Sequence, residues 1–592
     1  LENTHYVLNF GANIFETAPP LAQRLTDGVV NNRLKLVTFD VRLSNTAGRS
    51  NEWIPVFPGS DSIVALAMSN VILSEGLADT NFINKWTNHK AEDLAKSLST
   101  FTPEQAEEAS GVPAKTIISI AREFAKTRPA TIISQNGVNF HKNGTASETA
   151  FLLLAVITGN IDNEGGYCLP RQFDIPQPQP APVQKGSLVR RLNHAFPFEL
   201  KEGDHNVQVL FNHMSNPVYA SPAASMWSEI LQDEKLVPYI VDFSPFMSET
   251  ADYADLILPD VVAVERDDVG SSPTALLPWA SMTMPAGQHR CSPMDVRLVL
   301  KKVVEQLDPH SQLGMKPFWK FNDTGEWVKN QIEATDGLRK AYKKMRRKGV
   351  WPNYGKIDPN TRLLMKKGKP AQAKYQTYSK DGFNTPSGKI EISIPSWKEN
   401  ESLAKVRLQE QPDQFVLITF KVAFHTLSMT SNLKYLAELW HSNPLWINAQ
   451  TAAVKGISDG DLVRVKSDAG YLVTRAWLTQ GIHPQAVGLS TSVGRSSYGR
   501  VSLANPEAKA IFAKASQHDD DIDHNLWWRD SGVNPNDIIP ISIDTDSGVQ
   551  AWNDTVVTVS AAEPGDNYGD IQTSNEKHMA IYKSMFATGS GT

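Results

Sequence analysis

The chain has 592 residues, too many for one hydrophobic core, so three or four domains are expected. Hydrophobic residues make up 41% and charged residues 21%, and the net charge of −6 excludes a general nucleic-acid binder. No apolar run is long enough to span a bilayer, and two isolated cysteines, Cys168 and Cys291, cannot hold an iron–sulfur or zinc site alone.

In chain order, Tyr6 to Phe10 is an apolar run that turns at Gly11-Ala12-Asn13. Lys35 to Phe39 is a strand ending on Asp40, and Trp53 to Phe57 a strand closed by Pro58, Gly59 and Asp61. Ile63 to Glu75 has helical spacing and is expected as an amphipathic layer on the sheet. Thr102-Pro103 and Pro113 open two more helices, and Thr131 to Ser134 is a short strand. A loop with Gly137, His141, Asn143 and Gly144 precedes a helix from Ser147 to Thr158, ended by Gly159 and followed by Gly165-Gly166. Ile175 to Val183 is proline-rich and reads as a linker.

The same grammar then returns. Val207 to Phe211 turns through Asn212, Met214 and Asn216, and the apolar run from Leu236 breaks on Asp242. Ser244, Ser248, Glu249 and Thr250 follow, and a strand from Ala254 to Leu258 closes on Pro259 and Asp260. Asn13 to Asp40 and Asn216 to Asp242 are nearly equal separations, so two lobes are expected, each with an amide-bearing turn and a strand-end acid. Acids at the carboxyl edge of a parallel sheet suit ribose hydroxyls; the bland reading of Asp40 and Asp242 is that they cap turns. Arg339 to Lys348 forms a basic helix, either a solvated face or a docking surface for an acidic subunit. From Gln414 the texture is β-rich: Phe415 to Phe420, Gly460 to Lys466, a turn at Asp468-Ala469-Gly470, Tyr471 to Trp477, and Thr555 to Val559 as a closing strand of a barrel. Asp519, Asp520, Asp521 and Asp523 with His518 and His524 read as a solvated loop rather than a metal site.

FGAN at Phe10–Asn13, FDVR at Phe39–Arg42, PGSD at Pro58–Asp61, TGNIDNEGG at Thr158–Gly166 and SETADYADLILPD at Ser248–Asp260 resemble the large subunit of molybdopterin oxidoreductases, the dimethyl-sulfoxide-reductase superfamily. NPLWINAQTAAVKGISDGDLVRV at Asn443–Val465 resembles its dinucleotide-binding barrel. EWIPVFPGSD and IVALAMSNVILSEGLAD are most similar to the polysulfide, thiosulfate, tetrathionate and arsenate reductase branch. The resemblance implies an α/β protein with two Rossmann-like parallel-sheet lobes related by pseudo-duplication and a C-terminal β-barrel. The expected limits are a first lobe at 1–171, a linker at 172–204, a second lobe at 205–310, a connecting region at 311–412 and the barrel with its tail at 413–592.

It further implies two molybdopterin guanine dinucleotides around one molybdenum or tungsten. Gly11, Asn13, Asp40, Arg42, Gly59 and Asp61 would hold one tail, and Asn212, Met214, Asn216, Asp242, Ser244, Glu249 and Asp260 the other. Thr419, Lys421, His425 and Thr426 would reach phosphates and pterin, with Asn448, Gly494, Tyr498, Asn536 and Gln550 nearby. Lys421 departs from the arginine commoner in that motif and lacks its planar fork. His141, His425 and Arg171 are the candidate catalytic side chains, with Lys421 and Arg495 as further basic groups for an anionic substrate.

The family's four-iron cluster and metal-ligating residue belong to a segment upstream of Leu1, so the resemblance implies a longer protein. It also implies an iron–sulfur electron-transfer subunit, a quinone-reactive membrane anchor and a place at the periplasmic face of a membrane, or alternatively its cytoplasmic face. A rival reading is a metal-free structural or electron-relay subunit. A flavin/nicotinamide enzyme would need a GxGxxG turn, which this sequence lacks.

Overall fold

The computed structural model describes residues 1, 3–31, 33–176, 193–203, 207–272, 277–287, 294–352, 365–366, 369–371, 373–410, 413–496 and 531–587. Tyr498, Cys291, the acidic cluster at 519–523 and most of the proline-rich stretch lie outside them.

The first lobe is built on four parallel strands, β1 (Tyr6–Phe10), β2 (Lys35–Phe39), β3 (Glu52–Ile54) and β4 (Ala130–Ser134), in the order β3-β2-β1-β4. β1 and β2 have the limits expected from their apolar runs; β3 is shorter, because the chain leaves the sheet at Pro55. Phe10 stacks between Phe39 and Phe151, with ring centroids 4.8 and 4.2 Å away. The helix Asp61–Ser74 corrects the expected amphipathic layer. It is buried on nearly every side, since Ile63, Leu66, Ala67 and Met68 share one core with helices at 91–98, 103–110, 114–126 and 144–157. Thr102 makes a capping box with Gln105, and Pro113 caps the next helix, as their positions predict.

The second lobe has three parallel strands, β5 (Leu210–His213), β6 (Ile240–Ser244) and β7 (Leu256–Pro259), in that order. Residues 193–203, expected in the linker, instead form the helix Phe196–Glu202, whose Phe198 and Leu200 are buried against this lobe and the chain's C-terminal helix. Val350–Trp351 pairs with the strand Ala280–Thr283, and Val328, Ile332 and Met345 share its core, so the expected limit at 310 is crossed by packing. The basic helix Tyr342–Lys348 buries Met345 and turns its lysines and arginines to solvent.

Six strands close a barrel. Leu445–Asn448, Ala486–Ser490, Phe415–Phe420, Thr555–Ala561, Leu462–Lys466 and Gly470–Thr479 follow one another, and the last pairs back with the first. The Thr555 strand, last of the six in the chain, pairs with the first, Phe415–Phe420, and with Leu462–Lys466, as expected of a closing strand. No described helix is long and apolar enough to cross a membrane.

The duplication holds at the level of single hydrogen bonds. Gly11 N–H donates to the Phe39 carbonyl and Met214 N–H to that of Phe243, each at 2.9 Å. Asn9 donates to the Ala12 carbonyl at 2.9 Å, and Asn212 to that of Ser215 at 2.8 Å. Thr46 donates to Asn13 Oδ1 through its N–H and hydroxyl, and Thr250 does the same to Asn216 Oδ1. Gly11 and its counterpart Met214 both have positive φ, +59° and +48°. A side chain is strained in that region. Gly11→Ala should therefore cost about 1–2 kcal/mol in a denaturant titration, with its Cβ also 3.2 Å from Gly137. Met214→Gly should cost nothing or stabilise; equal losses from both changes would contradict the pairing.

Candidate functional site

A cavity of about 620 Å³ lies where the carboxyl ends of β1, β2 and β4 face the barrel. That volume suits a cofactor-sized ligand. Its first-lobe wall carries six residues predicted from sequence or resemblance: Gly11, Asn13, Asp40, Arg42, Asp61 and His141. The barrel side contributes the predicted Thr419, Lys421 and Asn536.

The wall is built by opposed charges. Arg42 lies 4.3 Å over the Phe420 ring, 5.4 Å over Trp446, and 3.8 Å from Glu16. Burial pulls its guanidinium down, while Asp40 and Glu16 favour its charge. Burial likewise raises the Asp40 carboxyl, against the pull of Arg42 and Ser44. On the adjacent face His141 Nδ1 donates to Asp554 Oδ1 at 2.6 Å, and Lys142 N–H donates to the other oxygen at 2.7 Å. Burial opposes a charge on this ring, but Asp554 outweighs it, so the imidazole titrates above its ordinary value. Gly59 has φ +76°, and a Cβ there would stand 3.2 Å from His141 Nδ1; this glycine makes room for the histidine rather than touching the cavity. Burial pushes Asp61 up to about 7, with His141 pulling it down and Asp40 adding to the rise.

The remaining predicted residues, among those described, lie outside this cavity. Asp242 is fully buried within β6, beneath Asn212, and the register makes it the counterpart of Thr38; Ser244 is the counterpart of Asp40. Met214 and Ser244 lie at the second sheet's edge, and Asn216 is spent on Thr250 and Glu249, so none of them lines this cavity. Glu249 is held by Arg495 Nε at 2.7 and 3.0 Å, which also removes Arg495 from any substrate funnel. Asp260 accepts from His213 at 2.8 Å and from the Val261 and Val296 N–H groups. Arg171 is tied to Asp162 at 2.6 Å and to backbone carbonyls, away from the cavity. His425 donates to the Trp440 carbonyl at 2.7 Å and, unlike Lys421, does not line the cavity; Thr426 is exposed in the same loop. Asn448 caps the helix Ala449–Val454, and Gln550 bonds Pro540 and Ser542. Gly494, at φ +79°, lets its loop pass close to Val533 and Asn534.

Sequence reading missed Asp554, Asn553, Tyr219 and Ser492. Asp554 had the same signal as Asp40, an acid at a strand end, but at the entry of Thr555–Ala561 rather than the exit. Ser492 Oγ and Asn536 Oδ1 are buried on the cavity wall without a hydrogen-bond partner. Lys421 has no ion pair among the described residues. Such groups cost free energy unless a ligand meets them, so the wall fits a polar, anionic cofactor.

Folded Asp61 retains a proton, up to about pH 7, that the unfolded chain has already released. His141 has the same sign: its stabilisation is complete below the ordinary imidazole range and lost as pH rises through its raised value. The denaturant midpoint of the wild type relative to Asp61→Asn should therefore fall as pH rises from about 4 to about 7. That comparison cancels the opposite contribution of His483 and His578, which burial holds down to about 4. Asp61→Asn should remove a loss of on the order of 4 kcal/mol at most over that interval, and Asp554→Asn should narrow the His141 loss above it. A wild-type midpoint that rises relative to that of Asp61→Asn over this interval would contradict the Asp61 assignment.

Residues 1–273 match the family model described as Molybdopterin oxidoreductase, and residues 415–556 that described as Molydopterin dinucleotide binding domain. The thiosulfate reductase molybdopterin-containing subunit PhsA of Salmonella typhimurium is 26% identical over 541 residues, 82% of this chain and 68% of that one. The arsenate respiratory reductase molybdopterin-containing subunit ArrA of Chrysiogenes arsenatis is 25% identical over 660 residues, covering 93% and 75%. This chain thus spans about two thirds to three quarters of the length of these relatives. The structure of acetylene hydratase from Pelobacter acetylenicus has the same fold, with a TM-score of 0.70 at 16% identity over 95% of this chain and 78% of that one. With both domains matched in order across the two lobes and the barrel, the chain belongs to the molybdopterin oxidoreductase family.

Proposed function

We propose that this chain is the larger part of the catalytic subunit of a respiratory oxidoreductase that carries two molybdopterin guanine dinucleotides. Its substrate is a small sulfur or arsenic oxyanion, or a polysulfide. The observation that carries the reading is the cavity wall, where Ser492 Oγ and Asn536 Oδ1 have no hydrogen-bond partner and Lys421 no ion pair among the described residues. The similarity to thiosulfate and arsenate reductase subunits supports the substrate class.

Lys421 would meet a pyrophosphate or the substrate anion as a point charge, and Asp40 would accept from ribose hydroxyls or a purine edge. Arg42, held between Glu16 and the Phe420 ring, would keep the Asp40 loop rigid against the barrel. His141 would hold a proton beside the cavity. The metal and its dithiolenes supply the redox chemistry, oxygen-atom transfer or S–S cleavage. Electrons would pass through an iron–sulfur subunit to or from a membrane-anchored quinone-reactive partner, at the periplasmic face in the preferred arrangement.

Metal and pterin analysis of the complete protein is the direct test. Stoichiometric molybdenum or tungsten with two pterins per chain is expected; a folded protein without either would favour the structural-subunit reading. Within that protein, Lys421→Ala should weaken cofactor retention or substrate KM about tenfold to a hundredfold, and Lys421→Arg should restore most of it. An unchanged Lys421→Ala protein would remove Lys421 from the site.

A further inference from the structure

Three titratable groups from three separate elements meet behind one face of the cavity. Asp61 opens the helix Asp61–Ser74, His141 ends the turn after β4, and Asp554 enters the barrel strand Thr555–Ala561. They are 4%, 2% and 4% exposed. His141 is bound to Asp554, so that pair is internally compensated. Asp61 lines the cavity beside them, and no described side chain donates a hydrogen bond to it. The groups facing it are His141 from the turn and Asp40 from β2. Lys142 and Arg407 stand behind Asp554, and Lys421 lies on the opposite wall.

A carboxylate in that position is surplus negative charge facing a buried space. Any anion or electron that enters the same space makes its ionised form more costly, and a proton is the smallest ion that can offset the change. We propose that Asp61, backed by the fixed His141–Asp554 pair, is a proton-exchange site that takes up one proton as negative charge enters the cavity and returns it as that charge leaves. The bookkeeping is one proton from solvent per electron or anionic charge gained, with the Asp61 carboxyl as the only bond made or broken. The proposal rests on the cavity being the cofactor's seat, and its reach toward neutrality agrees with the burial-raised Asp61 carboxyl.

The test has two independent parts. In the cofactor-free chain, infrared difference spectra from about pH 5 to about pH 9 should contain a protonated-carboxyl band that titrates near neutrality. The band should be missing in Asp61→Asn and shifted to higher pH in His141→Gln, which removes the neighbouring positive charge. A wild-type band that titrates below about pH 5, or one indifferent to His141→Gln, overturns the proposal. In the complete holoenzyme, the midpoint potential of a one-electron cofactor couple should fall with pH near neutrality. Full coupling to one proton gives about 59 mV per tenfold change in proton activity. Asp61→Asn should lose that slope, and equal slopes in both proteins overturn the coupling. A complete protein that purifies without molybdopterin defeats the functional reading instead, while the infrared titration still decides whether Asp61 exchanges the proton.

Discussion

A guanidinium and an imidazole sunk at a domain joint must be met by acids and rings, because an unpaired charge out of water costs several kcal/mol. Arg42 meets Glu16 in its own lobe and Phe420 and Trp446 in the barrel, and its backbone bridges to Ile482. His141 meets Asp554, and Thr145 donates to Asp544 through both its N–H and its hydroxyl. Arg495 carries the barrel onto the second lobe through Glu249. The cavity exists because these joints hold the barrel over the strand ends. Removing one partner from a buried pair of this kind leaves the other uncompensated, at about 3–5 kcal/mol.

The two lobes use one local solution and diverge around it. An asparagine after the first strand accepts both donors of a threonine after the second, so a turn that would otherwise expose backbone groups is pinned from within. Beyond that turn the lobes differ. Position 40 is an acid on the cavity wall, whereas its counterpart is Ser244. Asn45 donates to Glu16, while its counterpart Glu249 is committed to Arg495. The first lobe thus supplies charge to the cavity as well as joints to the barrel, whereas at these positions the second lobe supplies a joint alone.

Strands with an apolar run and a sharp end were legible in the sequence. Tyr6–Phe10, Lys35–Phe39 and Phe415–Phe420 have the predicted limits because both faces of each are covered, and the chain turns polar where cover ends. The duplication was legible too, yet its register was not. Equal separation paired Asp242 with Asp40, although Asn212 and the ladder place Asp242 opposite Thr38. Spacing counts residues along the chain; register is decided by hydrogen bonds between strands that spacing does not see. Asp61 was legible at the cavity because the short motif PGSD carries it, and His141 only as a histidine in a glycine-bounded loop. Arg171, His425 and Gln550 were misplaced for one reason: each side chain is satisfied by a carboxylate or carbonyl from a remote or looping segment.

The joint between His141 and Asp554 also bears on synthesis. A ribosome delivers the β1–β4 lobe long before it delivers Trp552 and Asn553, which line the pocket, and Asp554, which holds His141 behind it. A nascent chain stopped short of the Thr555 strand therefore has a folded sheet edge but no enclosure, and nothing to retain a bulky guest. Enclosure of the space over the strand ends must wait until the Thr555 strand has joined the barrel.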